Sequence, residues 1–218
     1  MNMPMQESTL SICRAIASST WSDALDRLRI AGVTRGLAWR SGAGSFAGRA
    51  TTVSEEAAAL GACALEDFDI GRVLHAAGAG EVLVIDLGGA EISTFGGLAA
   101  TAARARRVEG VLVDGGCRDL EELRASRLGV VSRWMTPVSG KQRVRVTGLN
   151  VPVTCGGITV SPGDCVIADE TGSVVVPAVR FEEVFALAKA LDARDRRFRE
   201  ALDNGQDFAA VAAALGHL

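Results

Sequence analysis

The stretch VLVIDLGGAEISTFGGLAATAARARRVEGVLVDGGCRDLEELRASRLGVV, Val82 to Val131, decides the fold. It opens on Val82-Leu83-Val84-Ile85-Asp86, a short, continuous, largely β-branched run of the kind that forms a parallel strand buried on both faces. A glycine-rich loop follows from Gly88 to Gly97, and the Ala-rich segment Leu98 to Arg107 predicts a helix. Gly110-Val111-Leu112-Val113-Asp114 is a second buried strand, Gly115-Gly116-Cys117-Arg118-Asp119 a second loop, Leu120 to Ser126 a second helix, and Gly129-Val130-Val131 starts a third strand. The order β-α-β-α-β predicts an α/β core of parallel strands with right-handed connections.

Working outward, Leu10 to Arg29 reads as helical, with Ser22-Asp23 able to restart a helix because Ser and Asp are good N-caps. Gly32 to Val53 alternates glycines with short apolar stretches, which predicts strands and turns, and Asp69 to Ala77 predicts a short helix. Beyond Trp134 short strands alternate with turns: Val144 to Val153, Gly157 to Val160, Cys165 to Ala168 and Ser173 to Val176. A long charged helix is expected from Phe181 to Leu202 and a last short one from Asp207 to Leu215, with no internal repeat.

The bulk composition narrows the class. With 218 residues, 48% hydrophobic and 22% charged, the chain suits one globular domain over 1–218. A net charge of −3 with acids and bases intermixed leaves no basic stripe for nucleic acid. Five cysteines, an odd count without C-x-x-C, suit a reduced cytoplasmic protein. The N-terminus lacks the pattern of a signal peptide, and no apolar run approaches the roughly 18 residues of a membrane span.

In a parallel β-α-β unit the loops at the carboxyl ends of the strands share one edge, and ligands bind there. The spacing from Gly97 to Arg118-Asp119 therefore predicts that two loops meet in space. Gly96-Gly97-Leu98 offers backbone N–H groups at a helix N-terminus, a natural carboxylate site. Arg118 is a permanent cation whose fork fits a carboxylate or an oxyanion, and Asp119 is a hard oxygen ligand suited to Mg²⁺ or Mn²⁺. Asp119-Leu120-Glu121-Glu122 equally fits a capping box, with Asp119 as N-cap and Glu122 reaching back to it. Asp86 and Asp114 end strands, where such residues commonly satisfy turn N–H groups. The two histidines, His75 and His217, lie far from these loops, which disfavours a His-based zinc site or a Ser-His-Asp triad. Cys117 reads as a packed small residue in preference to a reactive thiol. The two lysines, Lys141 and Lys189, also lie outside the two loops, so a metal-assisted mechanism is preferred over a Schiff base.

These residues carry a family resemblance. FGGLAATAARARRVEGVLVDGGCRDLEEL, Phe95 to Leu123, resembles the 4-hydroxy-4-methyl-2-oxoglutarate and 4-carboxy-4-hydroxy-2-oxoadipate aldolases, whose relatives include regulators of ribonuclease E activity. SDALDRLRIAGVTRGL near Ser22 and NVPVTCGGITVSPGDCVIADETGSVVVP near Asn150 extend the match. The resemblance implies a swivelling β/β/α fold assembled as a homotrimer or homohexamer, with sites between subunits. It implies that Asp119 ligates the metal, that Arg118 meets the keto oxygen of pyruvate, and that the N–H groups of Gly96 to Leu98 hold its carboxylate. It further implies that an acid from a neighbour's C-terminal helix, matched here by Asp195, completes the catalytic set. Two positions depart from the pattern: Gly97 stands where many of these aldolases have an acid, and Asp195 stands where Glu is expected. The expected activity is class II cleavage of a 4-hydroxy-2-oxo acid to pyruvate, with oxaloacetate decarboxylation as a side reaction. The rival expectations are a non-catalytic regulator of a ribonuclease and a dedicated keto-acid decarboxylase.

Overall fold

The computed structural model describes residues 5–216. Two helices, α1 (Glu7–Ala15) and α2 (Ser18–Arg27), come first. The break between them falls at Ile16-Ala17 and not at Ser22 as the capping pattern suggested. The physical reason is remote in sequence: the Asp169 carboxylate accepts from both the backbone N–H (2.8 Å) and the hydroxyl (2.7 Å) of Ser18, so an acid 151 residues away serves the start of α2.

Strands β1 (Ala38–Ser41) and β2 (Ser45–Ala57) and helix α3 (Ile70–Ala76) follow. Asp69 caps α3 by accepting from the N–H of Arg72. The segment that decides the fold then unrolls as β3 (Glu81–Asp86), β4 (Ser93–Phe95), α4 (Gly97–Ala105), β5 (Gly110–Cys117), α5 (Leu120–Ser126) and β6 (Gly129–Met135). Two details differ from expectation. The glycine loop contains the short strand β4, which pairs in parallel with β5. Gly115-Gly116-Cys117 belongs to β5 and not to a loop, because its backbone stays paired to β4 and β6. Gly116 permits this closeness, since a Cβ there would lie 2.7 Å from the Ile92 carbonyl.

The remaining strands are β7 (Val144–Leu149), β8 (Val153–Cys155), β9 (Ile158–Val160), β10 (Cys165–Asp169) and β11 (Ser173–Val176), before the long α6 (Phe181–Asp203) and α7 (Phe208–Leu215). Asp207 caps α7 by accepting from the N–H of Ala210. The main sheet runs β1-β6-β5-β3-β2-β10-β11, with β4 on β5 and β7 on β2, while β8 and β9 form a separate hairpin. Strands β2, β3, β5 and β6 are mutually parallel, and β1, β7, β10 and β11 join antiparallel. This is a mixed α/β sheet closed by a C-terminal helix.

Helices α3, α4 and α5 cover one face of the parallel strands through a core that includes Val73, Leu83, Ile85, Ala100, Val113 and Leu123. Helices α1, α2 and α6 pack against β10 and β11 through Trp21, Leu25, Ile167, Val176 and Phe185. A third core, with Phe46, Val84 and Leu112, lies under the β8–β9 hairpin. No helix among the described residues is long and apolar enough to cross a membrane. The first of these cores fixes the carboxyl ends of β4 and β5, where the site is found.

Candidate active site

The ends of β4 and β5 are tied together as the spacing predicted. The N–H of Arg118 donates to the carbonyl of Phe95 (3.0 Å), and the N–H of Gly97 donates to Oδ2 of Asp119 (3.2 Å). Beside this junction opens a cavity of about 300 Å³, in the size range of small-ligand sites. Its lining includes Gly96, Leu98, Arg118 and Asp119. Of the N–H groups expected to meet a carboxylate, those of Gly96 to Leu98, that of Gly97 is committed to Asp119, while the N–H groups of Leu98 and Ala99, in the first turn of α4, have no acceptor among the described residues.

The capping-box reading of Asp119 is overturned. Asp119 occupies the N-cap position of α5, yet its φ of 58° is left-handed and its side chain makes no bond to that helix. The carboxylate turns instead to the N-terminus of α4 and to Arg118, whose Nε lies 3.5 Å from Oδ2. Oδ1 has no hydrogen bond among the described residues, and the side chain is 36% exposed. A hard carboxylate oxygen, uncommitted and open to the cavity, fits a divalent cation that keeps most of its waters. Among the described residues no three His, Cys, Asp or Glu side chains gather as a metal cluster, so Asp119 would act as a lone protein ligand.

The two glycines have different duties. A Cβ on Gly96 would lie 2.7 Å from Oδ2 of Asp119 and 3.0 Å from Cγ of Arg118, so its lack of a side chain lets the two loops close. Gly97 lies outside the cavity lining. A Cβ there would fall 1.8 Å from Oε2 of Glu122 and 2.6 Å from its Cβ. Glu122 is thus folded over the start of α4 and places a carboxylate beside a position that has no side chain of its own. Sequence reasoning saw Glu122 only as a capping partner. Its neighbourhood to Gly97 follows from the packing of α4 on α5.

The cavity also gathers residues that the two loops did not announce. Phe68, Ile70 and Leu74 form an apolar wall from the α3 region, Ser93, Thr94 and Phe95 contribute from β4, and Ser139 and Lys141 close it from the segment after β6. Lys141 is a correction: its distance in sequence was misleading, because β6 runs parallel to β5 and delivers the following segment to the same edge. Lys189 is elsewhere, on α6, with its ammonium 4.3 Å from the centre of the Phe185 ring.

Asp195 also lies on α6, beside Arg194, and does not line this cavity. Asp86 and Asp114 behave as turn residues: Asp86 accepts from the N–H groups of Gly88 and Thr154 (2.9 Å each), and Asp114 accepts from Gly156 N–H (2.7 Å) and pairs with Arg133. Cys117 is fully buried, and burial pushes its thiol up to about 12, which makes it inert. His75 is exposed on α3 with Nδ1 2.8 Å from the Gly71 carbonyl, while His217 lies outside the described residues.

Comparisons with known proteins bear on the family and the fold. The RraA-like family model, described as Aldolase/RraA, matches residues 18–175, which cover β4, β5 and the whole cavity. An uncharacterised protein of Methanocaldococcus jannaschii is 35% identical over 57% of this chain, which spans 59% of that protein's length. A provisionally named 4-hydroxy-4-methyl-2-oxoglutarate aldolase of Alcanivorax borkumensis is 32% identical over 66% of this chain and 87% of its own. Among solved structures, an unusual member of the RNase ES inhibitor RraA family from Streptomyces coelicolor superposes with a TM-score of 0.81 over 91% of this chain and 99% of its own, and at 23% identity it speaks for the fold alone. The chain belongs to the Aldolase/RraA family.

Proposed function

We propose that this cavity binds a 4-hydroxy-2-oxo acid together with Mg²⁺ or Mn²⁺ and cleaves it to pyruvate and a second oxo acid. The observation that carries the reading is the convergence of three kinds of group on one small cavity: the free oxygen of Asp119, the Arg118 guanidinium and the unsatisfied N–H groups of Leu98 and Ala99. The names of relatives such as the Alcanivorax borkumensis protein support the reaction class.

Each residue has a role that its position suits. Asp119 would hold the cation, which when bound supplies Lewis-acid polarisation of the 2-keto group. The first turn of α4 receives the substrate carboxylate, where N–H groups and the helix dipole favour negative charge. Arg118 donates to the keto oxygen, on which charge collects as the carbon–carbon bond breaks, and so lowers the barrier where stabilisation is worth most. Lys141 faces the same cavity and offers a cation to an anionic distal group. As the bond breaks, the 4-hydroxyl proton passes to water and the second oxo acid leaves, and the enolate that remains takes up a proton from solvent to give pyruvate. The same enolate forms when oxaloacetate loses CO₂, so decarboxylation follows from the same machinery.

Asp195 enters this reading only from a neighbouring protomer of a trimer or hexamer, since in its own protomer it lies away from the cavity. The family description, Aldolase/RraA, leaves a second reading, a binding protein for a ribonuclease. One assay separates the two: pyruvate release from a panel of 4-hydroxy-2-oxo acids and from oxaloacetate, with Mg²⁺ and with excess EDTA. Metal-dependent release supports the lyase. No release from any of them, with or without metal, refutes it.

A further inference from the structure

The candidate active site lies at the carboxyl ends of the parallel strands, and a second cavity, of about 220 Å³, opens at the amino end of β3. The two share no lining residue. The walls of the second come from β2 (Arg49, Thr51), the start of β3 (Glu81), the end of α3 (Ala76), the residue after β7 (Asn150) and the turn before β10 (Pro162). One cation, one carboxylate, one hydroxyl and one amide are thus gathered from segments far apart in the chain, and the lyase reading uses none of them.

Arg49 is half-buried, and no hydrogen bond or ion pair engages its guanidinium among the described residues. Its Nε is sealed from solvent without a partner, so the terminal nitrogens are the part of the cation that a ligand can meet. The sheet register sets an acid on each side: Glu81 is opposite on β3, and Asp164 precedes Cys165, the opposite residue on β10. Neither neutralises the arginine. Asp164 commits its two oxygens to the N–H groups of Ser161 (2.8 Å) and Ala178 (2.9 Å). Glu81 accepts through Oε2 from the N–H of Gly78 (2.8 Å), while its Oε1 has no partner among the described residues. A charge withdrawn from water is costly unless it is paired, yet here a cation and a carboxylate on adjacent strands line one cavity without closing on each other. The Thr51 hydroxyl and the Asn150 amide at the same cavity also lack partners among the described residues. Asn150 is held in place by a left-handed backbone (φ 53°) and by its own N–H, which donates to the Thr52 carbonyl (2.8 Å).

We propose that this cavity is a second ligand site, which binds a small zwitterion of the α-amino acid class. The Arg49 guanidinium takes the carboxylate, and Oε1 of Glu81 takes the ammonium. The Thr51 hydroxyl and the Asn150 amide serve the remaining polar atoms. A simple anion is repelled by Glu81 and a simple cation by Arg49, so the pair selects a ligand that carries both charges. About 220 Å³ is below the usual range for drug-sized ligands, which limits the ligand to a short side chain.

The test is a ligand-observed NMR titration of the intact protein with glycine, L-alanine and L-serine, set against propionate and ethylamine, which carry a single charge each. At least one amino acid is expected to bind saturably and about tenfold more tightly than either singly charged probe. Arg49→Gln and Glu81→Gln should each weaken that binding about tenfold at an unchanged melting temperature. Glu81→Gln should also tighten the binding of propionate, because the repelling carboxylate is gone, an effect that a purely structural glutamate would not produce. Asn150→Gly keeps the left-handed backbone, removes the amide and should weaken the amino acid severalfold. Arg118→Lys, in the other cavity, should leave the affinity unchanged. Absence of saturable binding for all three amino acids, or equal binding of the singly charged probes, overturns the proposal. So does an affinity that survives both Arg49→Gln and Glu81→Gln. Should Arg49→Gln fold poorly, Glu81→Gln and Asn150→Gly decide, and unchanged affinity in both overturns it. Loss of binding in Arg118→Lys alone places the amino acid in the other cavity and overturns it as well.

Discussion

Two arginine–aspartate pairs stand at the carboxyl edge of the same parallel strands, one in the cavity and one in a neighbouring depression lined by Asp86, Gly89, Asp114, Arg133 and Trp134. Asp114 and Arg133 form a closed pair: Nε to Oδ1 is 2.6 Å, the aspartate is 7% exposed, and its other oxygen is held by the N–H of Gly156. The hydrogen bond that Arg133 donates to the Asp114 carboxylate raises the guanidinium above its ordinary range, as a committed ion pair should. Arg118 and Asp119 form an open pair at 3.5 Å, more than a third exposed on both sides, with one oxygen uncommitted. The residue types are the same and the surroundings differ. A carboxylate whose two oxygens are both engaged holds loops together, whereas one with a free oxygen at a cavity can take a cation. Availability of donors and acceptors, and not residue identity, separates the structural pair from the candidate site.

The sharpest way to break this comparison is to neutralise each aspartate in turn. Asp119→Asn removes the charge that would hold the metal, and asparagine tolerates the left-handed backbone at 119. It should lower pyruvate release by about 10³-fold, by analogy with the loss of a key electrostatic group, with an unchanged melting temperature. Asp114→Asn should do the reverse in the same pair of measurements. It leaves Arg133 without its counter-charge and should cost about 3 kcal/mol of stability in denaturant titration, while surviving folded protein keeps its turnover. Wild-type turnover in Asp119→Asn would show that the open pair is not the metal site.

Arg118→Lys sharpens the comparison from the cation side. A point charge cannot reproduce the guanidinium fork, and kcat should fall by about 10²-fold with melting unaffected. The corresponding Arg133→Lys should leave kcat within about twofold, because that pair only supports loops.

A subtler effect is expected from the pH dependence of stability. The folded-state pKa of Glu55 is raised from 4.5 to about 7, so the unfolded chain ionises first. Stability due to this group is fully present below about 4.5 and declines as pH rises to about 7, by an amount on the order of 3 kcal/mol. Glu55→Gln should remove this slope in melts recorded from pH 4.5 to 7.5. A local effect on the open pair is expected from Gly96→Ala, whose Cβ would press on Asp119 Oδ2 at 2.7 Å. A shift of a few tenths of an ångström should weaken Mg²⁺ binding by about tenfold in competition with a fluorescent chelator, without unfolding.

Much of the architecture was legible because it is local. The runs at Val82 and Gly110 form strands because buried β-branched residues leave few alternatives, and Asp69 and Asp207 cap helices across three residues. The meeting of Gly97 with Asp119 also followed from the chain, since parallel β-α-β topology returns consecutive loops to one edge. What the chain did not disclose depends on order in the sheet and on side-chain direction. The sheet places β2 next to β3 and so brings Glu55 within reach of Asp86, and the segment after β6 carries Lys141 to the cavity. The same limit explains why Ser18 rather than Ser22 begins α2, and why the Asp119 carboxylate serves α4 instead of its own helix. Local propensity and period determine which elements form and which loops share an edge. Which acid has a free oxygen, which hydroxyl lacks a partner and which distant lysine faces the ligand are settled only when the sheet is assembled, because hydrogen-bond satisfaction and burial are properties of the packed whole.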